Sequence, residues 1–145
     1  MSLFNAMNIS SSGMTAQRLR TDIIAQNLAN VNTTRDANGN PYKRQTVVMS
    51  EKDVTSFSNV LMMVGGTTGN GVKVSKIVED NDTPMKLVYD PSHPDANEEG
   101  YVSYPNVNTV TEMTNLIDAS RSYEANVTAF NATKNMALKG LEVGK

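Results

Sequence analysis

Residues 109–141 constrain the fold more than any other stretch. Thr109-Val110-Thr111-Glu112 has the form of a capping box: the Thr109 hydroxyl accepts from the Glu112 amide, and the Glu112 carboxylate reaches back to the Thr109 amide. Beyond it, alternating steps of three and four reach Met113, Leu116, Ser120, Tyr123, Val127, Phe130, Lys134, Ala137 and Leu141, seven of which are apolar. Four heptads in this rhythm predict a long helix whose narrow seam supercoils on a partner helix. Val110 and Ile117 widen the upper seam, and Gly140 and Gly144 mark where the helix frays.

The opposite terminus predicts a second, weaker helix within residues 1–34. Ala16, Leu19, Ile23, Ile24, Leu28 and Val31 share one face. The run Ser10-Ser11-Ser12-Gly13 is expected to interrupt this helix, since Gly costs about 1 kcal/mol relative to Ala in a helix interior. Asn30, Asn32, Thr33 and Thr34 are expected to end it. Asn27, Asn30 and Asn32 are read as capping groups that set the exit direction of the chain.

Between the helices, residues 35–106 contain all five prolines and carry seven Lys+Arg against ten Asp+Glu. Strands are predicted over 42–49, 72–79 and 85–89, with a bulge at Lys76-Ile77. Asp36–Pro41 and Gly65–Gly71 read as turns or loops, and 90–106, with Pro91, Pro94 and Pro105, as an ordered extended connection. The expected fold class is α+β. Residues 1–34 and 107–145 form one coiled-coil-like helical assembly domain, and 35–106 form a small β-rich insert.

Composition bears on what such a fold can do. A net charge of −2 gives no electrostatic case for nucleic acid or an anionic membrane. The absence of Cys removes disulfides, thiolate metal sites and cysteine nucleophiles. The longest apolar run, Val60–Val64, has five residues, against the roughly 20 a membrane-spanning helix needs. The N-terminal residues lack the pattern of a cleaved secretory signal.

Leu, Ile, Val and Phe total 31 of 145 residues, about 21%, near the boundary at which folding alone becomes marginal. Seventeen asparagines favour turns and caps over element interiors. The five Asn-x-Ser/Thr triplets are expected by chance in so Asn- and Thr-rich a chain.

Catalytic chemistry finds little foothold. The single His93, between Pro91 and Pro94, has no evident orienting partner and reads as a turn residue. With Asp90 and Asp95 it falls short of a zinc site. Asp36–Val47 starts like a calcium loop but has Pro41 at its sixth position and Val47 at its twelfth. Gly66–Lys73 has the glycines of a phosphate loop with Val72 where the Lys belongs. Asp80/Asp82 and Glu98/Glu99 read as solvated faces. No enzyme activity, metal or cofactor is expected.

The helical stripes remain. Burying one such side chain is worth about 1.5–3 kcal/mol, so a wet stripe forfeits roughly 10 kcal/mol, more than the small polar insert can cover. The expectation is a self-associating protein whose termini settle fully only in an assembly. The assembly seam is Leu19, Ile23, Ile24 and Leu28 with Met113, Leu116, Tyr123, Val127, Phe130 and Leu141.

Asn27-Leu28-Ala29-Asn30-Val31-Asn32-Thr33-Thr34, followed by Gly39-Asn40-Pro41-Tyr42-Lys43-Arg44, resembles the N-terminal signature of the axial proteins of the bacterial flagellum, the rod and hook proteins and their relatives. Glu112-Met113, Ala119–Asn126 and Met136–Leu141 look like that family's closing helix. Tyr89–Asn97 and Gly100–Asn108 narrow the resemblance to its proximal rod members. The matching motif positions are Asn27, Ala29, Asn30, Val31, Asn32, Thr33, Tyr42, Glu112, Met113, Arg121, Tyr123 and Asn126.

The resemblance implies a structural subunit of the flagellar rod, located in the basal body within the cell envelope. Its partners would be other copies of itself and other rod proteins. It would be exported by the flagellar type III apparatus without a cleaved signal, with no nucleic acid and no membrane insertion. An export adaptor or chaperone using the same seam is the alternative.

Overall fold

The computed structural model describes residues 3–36, 39–52 and 69–143. Two long helices enclose four short strands in the order α1 (Leu3–Ala29), β1 (Gln45–Glu51), β2 (Val72–Glu79), β3 (Lys86–Tyr89), β4 (Tyr101–Tyr104) and α2 (Thr109–Val143). The class is α+β, with the strands confined to an insert between the terminal helices. The strands form two two-stranded sheets, β1–β2 and β3–β4.

Helix α1 runs through Ser10–Gly13 without a break, contrary to the interruption the residue types predict. The hydroxyls turn back onto the helix: Ser12 Oγ donates to the Ile9 carbonyl at 2.7 Å and Thr15 Oγ1 to that of Ser11 at 3.0 Å. Gly13 is there for space. A Cβ built on it would meet Asn126 Oδ1 at 2.7 Å, and the Asn126 amide is itself held by the Ser122 carbonyl at 2.8 Å. Gly13→Val is therefore expected to lower stability by about 1–3 kcal/mol, read as a reduced urea midpoint. An unchanged midpoint would show that this approach is slack.

The helix ends at Ala29, where the asparagines and threonines predicted. Asn30 donates to the Gln26 carbonyl through both its backbone amide (3.1 Å) and its side chain (2.9 Å). Asn30 therefore serves the helix end as expected, whereas Asn27 does not.

The capping box at the start of α2 is not formed. Asn108 is the cap: its Oδ1 accepts from the amides of Val110 (3.0 Å) and Thr111 (3.3 Å), and its carbonyl accepts from Glu112 N (2.9 Å). Glu112 turns away from its own helix start. Asn at this position caps as well as Thr does, which frees the carboxylate for another partner.

Within the insert, β1 lies three residues later than its predicted start, and β2 matches its predicted span. In β2, Val74 and Val78 are the half-buried side chains while Ile77 is exposed. Ile77 is thus left outside rather than turned in by the predicted bulge. The extended reading of 90–106 missed β4. That strand pairs antiparallel with β3 in the register Lys86↔Tyr104, Leu87↔Ser103, Val88↔Val102 and Tyr89↔Tyr101. Gly100 (φ 82°) helps close the intervening loop, where Asp90 N donates to its carbonyl at 2.9 Å.

Of the predicted turns, Asp36, Gly39 and Asn40 close one with Gly39 N donating to Asp36 O at 3.1 Å. Ala37, Asn38 and residues 65–68 lie outside the described residues.

Contacts divide the chain into two compact units. One comprises Met1–Leu19, Val48–Lys76 and Ala119–Lys145, and the other Arg20–Val47 and Ile77–Asp118. In the first, Ala16 and Ala119 are buried; in the second, Ile23, Ile24 and Val102 are. These are mostly small or few side chains, in line with the low aliphatic content of the sequence.

Candidate functional site

The second unit collects residues from distant parts of the sequence around one buried carboxylate. Glu112 is 1% exposed. Its Oε1 accepts from Arg44 Nε at 2.9 Å and pairs with a terminal guanidinium nitrogen at 2.8 Å, and its Oε2 accepts from Asn27 Nδ2 at 3.0 Å. A buried carboxylate is tolerated when a cation and further donors meet it together, as they do here.

Asn27 is fully buried and uses all four of its hydrogen-bonding positions. Its Nδ2 donates to Gln45 O (2.8 Å) and to Glu112, while its Oδ1 accepts from Gln45 N (2.9 Å) and the Tyr42 hydroxyl (2.9 Å). The residue expected to cap α1 instead fastens the start of β1 to the side of the helix.

Asn106 works in the same way. Its Oδ1 accepts from Arg44 N (2.8 Å), and its Nδ2 donates to the carbonyls of Asp80 (2.9 Å) and Thr83 (3.1 Å). Asp80 lies 3.8 Å from Arg44 and accepts from the amide and hydroxyl of Thr83. The bonds from Thr83 come first among the causes that hold the Asp80 carboxyl below its ordinary value. The solvated face expected at Asp80 is thus an engaged turn.

Burial, and after it the charges of Glu112 and Glu79, push the Tyr42 phenol above its ordinary value of 10. Below pH 10 the phenol is protonated in folded and unfolded chain alike, and its contribution is fully present. Above that the unfolded chain ionises first, so stability falls as pH climbs towards the raised folded value. The urea midpoint should drop on this alkaline limb, and Tyr42→Phe should flatten the drop. Parallel limbs in the two proteins would remove Tyr42 as its source.

The motif residues thus divide into groups. Asn27, Tyr42 and Glu112 converge on the polar hub. Thr33 accepts from Tyr42 N at 3.2 Å through its carbonyl and donates to Asn30 Oδ1 at 3.1 Å through its hydroxyl. Val31 and Asn32 line a cleft of about 830 Å³ with Pro84, Tyr104 and Val107. Asn126 meets Gly13, while Ala29 and Arg121 are exposed. Arg44 and Asn106 complete the hub; both lie inside segments that carry the resemblance, but neither is among its matching motif positions. The visible signal for them was an Arg closing the Tyr42 segment and an Asn next to Pro105.

The seam residues separate as well. Ile23 and Ile24 are buried; Leu19, Leu28, Leu116, Val127 and Phe130 are half-buried. Met113 (52% exposed), Tyr123 (40%) and Leu141 (72%) remain outside, joined by Val110, Ile117, Met136 and Leu138. The inward side of α2 follows Glu112, Ala119 and Thr133, largely small or polar. Large apolar side chains therefore face out mainly at the two ends of the helix, while Leu116, Val127 and Phe130 are partly covered.

His93 accepts from Asp95 N through Nδ1 at 3.1 Å and stands edge-on to Tyr104, a local turn arrangement. Asp95 ties the chain leaving α1 to this loop, accepting from Thr34 Oγ1 (2.8 Å) and pairing with Arg35 (2.9 Å). Among the described residues no helix is long and apolar enough to cross a membrane, and no group of acidic and His side chains is placed to hold a metal.

Residues 7–35 match the family model described as "Flagella basal body rod protein", and residues 98–143 match "Flagellar basal body rod FlgEFG protein C-terminal". These matches span most of α1 and all of α2, the segments that supply Asn27 and Glu112. The chain is 53% identical to the flagellar basal-body rod protein FlgC of Bacillus subtilis, with all of both chains covered. It is 42% identical to that of Borreliella burgdorferi, over 99% of this chain and 98% of the relative. It is also 42% identical to that of Escherichia coli O157:H7 over the full length of both. From its two matched ends and its end-to-end likeness to these relatives, the chain belongs to the FlgC family of flagellar basal-body rod proteins.

Proposed function

We infer that the chain is a structural subunit of the flagellar basal-body rod, assembling with further copies and with other rod proteins through its terminal helices. The exposed large apolar side chains of α2, Val110, Met113 and Ile117 near its start and Met136, Leu138 and Leu141 near its end, carry this reading. A helix that leaves this many large apolar side chains in water has further contacts still to make. Contacts between unlike surfaces that do not close on themselves build a helical polymer, the form a shaft requires. Buried hubs such as Asn27–Glu112–Arg44 suit this role, because they fix where β1 leaves the helices.

The proposal extends to delivery by the flagellar type III export apparatus without a cleaved leader, to a place in the envelope outside the inner membrane. It also holds that the subunit performs no catalysis. An export adaptor using the same stripe is less favoured, because the likeness to rod proteins runs the whole length of the chain.

The test is the composition of purified basal bodies. Deleting the chain should abolish swimming, and an epitope-tagged copy that restores swimming should co-purify with the rod. A tagged copy that restores swimming but stays soluble with export cargo would replace the rod reading with the adaptor.

A further inference from the structure

The β3–β4 hairpin has a second face that stands exposed among the described residues. Val88 and Val102 form its inward side, Val102 being completely buried. The pleat sends alternate residues the other way. Leu87 is 62% exposed, Tyr89 65% and Tyr101 40%. The two tyrosines pair across the strands with ring centroids 5.3 Å apart, edge to face. Tyrosines presented in this way are the residues that anchor protein contacts.

Charge indicates what covers this face. Between Leu87 and Ser120 the sequence has no Lys or Arg. The loop that closes the hairpin beyond the tyrosines contains Asp90, Asp95, Glu98 and Glu99. Asp95 is answered by Arg35, but exposed Glu98 and Glu99 have no ion pair among the described residues. The face is thus apolar with an acidic rim.

The complementary surface lies in the other unit. Val72 and Lys76 of β2 are exposed, and Lys52, also exposed, is brought to the Val72 end of the strand by its amide bond to the Gly71 carbonyl at 2.9 Å.

We propose that the outward face of the β3–β4 hairpin docks on the β1–β2 surface of a second copy of this chain, Leu87, Tyr89 and Tyr101 covering Val72 while Glu98 and Glu99 meet Lys52 and Lys76. The proposal rests on the rod-subunit reading and specifies how the inserts of adjacent subunits join. The two patches differ, so the contact is head-to-tail and propagates from copy to copy.

The chain has no cysteine, so introduced pairs report contact without background. Glu99→Cys and Lys76→Cys are placed on separate copies co-expressed in cells lacking the natural chain, and the basal bodies are oxidised. A cross-linked pair of chains is expected when both variants are present and not with either alone. No cross-link in basal bodies that contain both variants overturns the docking and leaves the rod reading intact. Cross-linking by Glu99→Cys alone means that the hairpin face meets itself, and overturns it too. Absence of the natural chain from basal bodies overturns both readings.

Reversing the rim with Glu98→Lys and Glu99→Lys should cut assembly about tenfold or more through like-charge contact. Adding Lys52→Glu and Lys76→Glu to the same chain should restore it. Failure of this exchange to restore assembly also overturns the proposal.

Discussion

Replacing Glu112 by alanine is expected to destabilise the isolated chain by about 3–5 kcal/mol, the usual penalty when one partner of a buried ion pair is removed. Arg44 would lose the acceptor of its Nε and of a terminal nitrogen, at 2.9 and 2.8 Å, and Asn27 one of its two donor bonds. What remains is a cation and an amide facing a hole, and little water can reach a position that is 1% exposed. Glu112→Gln separates charge from shape. It keeps the volume and one acceptor but presents an amide to donors, so an intermediate loss of about 1–3 kcal/mol is expected. Urea unfolding of the three proteins measures both. A Glu112→Ala midpoint within about 0.5 kcal/mol of the parent would show that the hub contributes nothing to stability. A Glu112→Gln protein indistinguishable from the parent would show that only packing matters there. The double variant Glu112→Ala with Arg44→Ala should lose less than the sum of the single losses, since neither partner is then left alone.

The second large effect should be on assembly while leaving the monomer intact. Ile117 is 52% exposed, and Ile and Asp differ little in helix propensity, so Ile117→Asp should change monomer stability by less than about 0.5 kcal/mol. In an assembled rod the same side chain would place an unpaired carboxylate in an apolar contact. We expect swimming and the amount of chain recovered in basal bodies to fall about tenfold or more, with export undiminished. Met113→Asp should behave alike. Val127 and Phe130 are less suitable probes, because both are half-buried in their own chain and their loss would mix misfolding with failed assembly. Normal swimming in Ile117→Asp would mean that this part of the stripe is not an interface.

These predictions follow a division that one-dimensional periodicity could not make. The spacing of Met113, Leu116, Tyr123, Val127, Phe130 and Leu141 marked an apolar helix, and the helix is present over 35 residues. Periodicity names a face but not its neighbour, however. Gly13 and Asn126 show why: a close approach between helices needs a small residue, so the most buried line of α2 runs through Ala119 and Thr133, Leu116, Val127 and Phe130 are half-buried, and Met113, Tyr123 and Leu141 are left out. Similarly, β2 was legible from its Val-Lys-Val alternation. β4 was not, because a four-residue strand surrounded by Gly and Pro gains its identity from pairing with β3, a non-local event.

By itself the sequence determined that the termini are helical, that the connecting insert is small and β-rich, that the aliphatic content is too low for a large core, and, through its end motifs, the family. Local propensity and periodicity act over a few residues, which is why these features could be read directly. Tertiary structure alone decided what the polar motif residues do. Asn27 and Asn106 have the same composition signal as any turn asparagine, and Glu112 stands where a capping box would employ it. Only when 18 to 85 residues of intervening chain have folded back are Gln45 and Glu112 brought against Asn27, and a buried polar group must take whatever partners arrive with it.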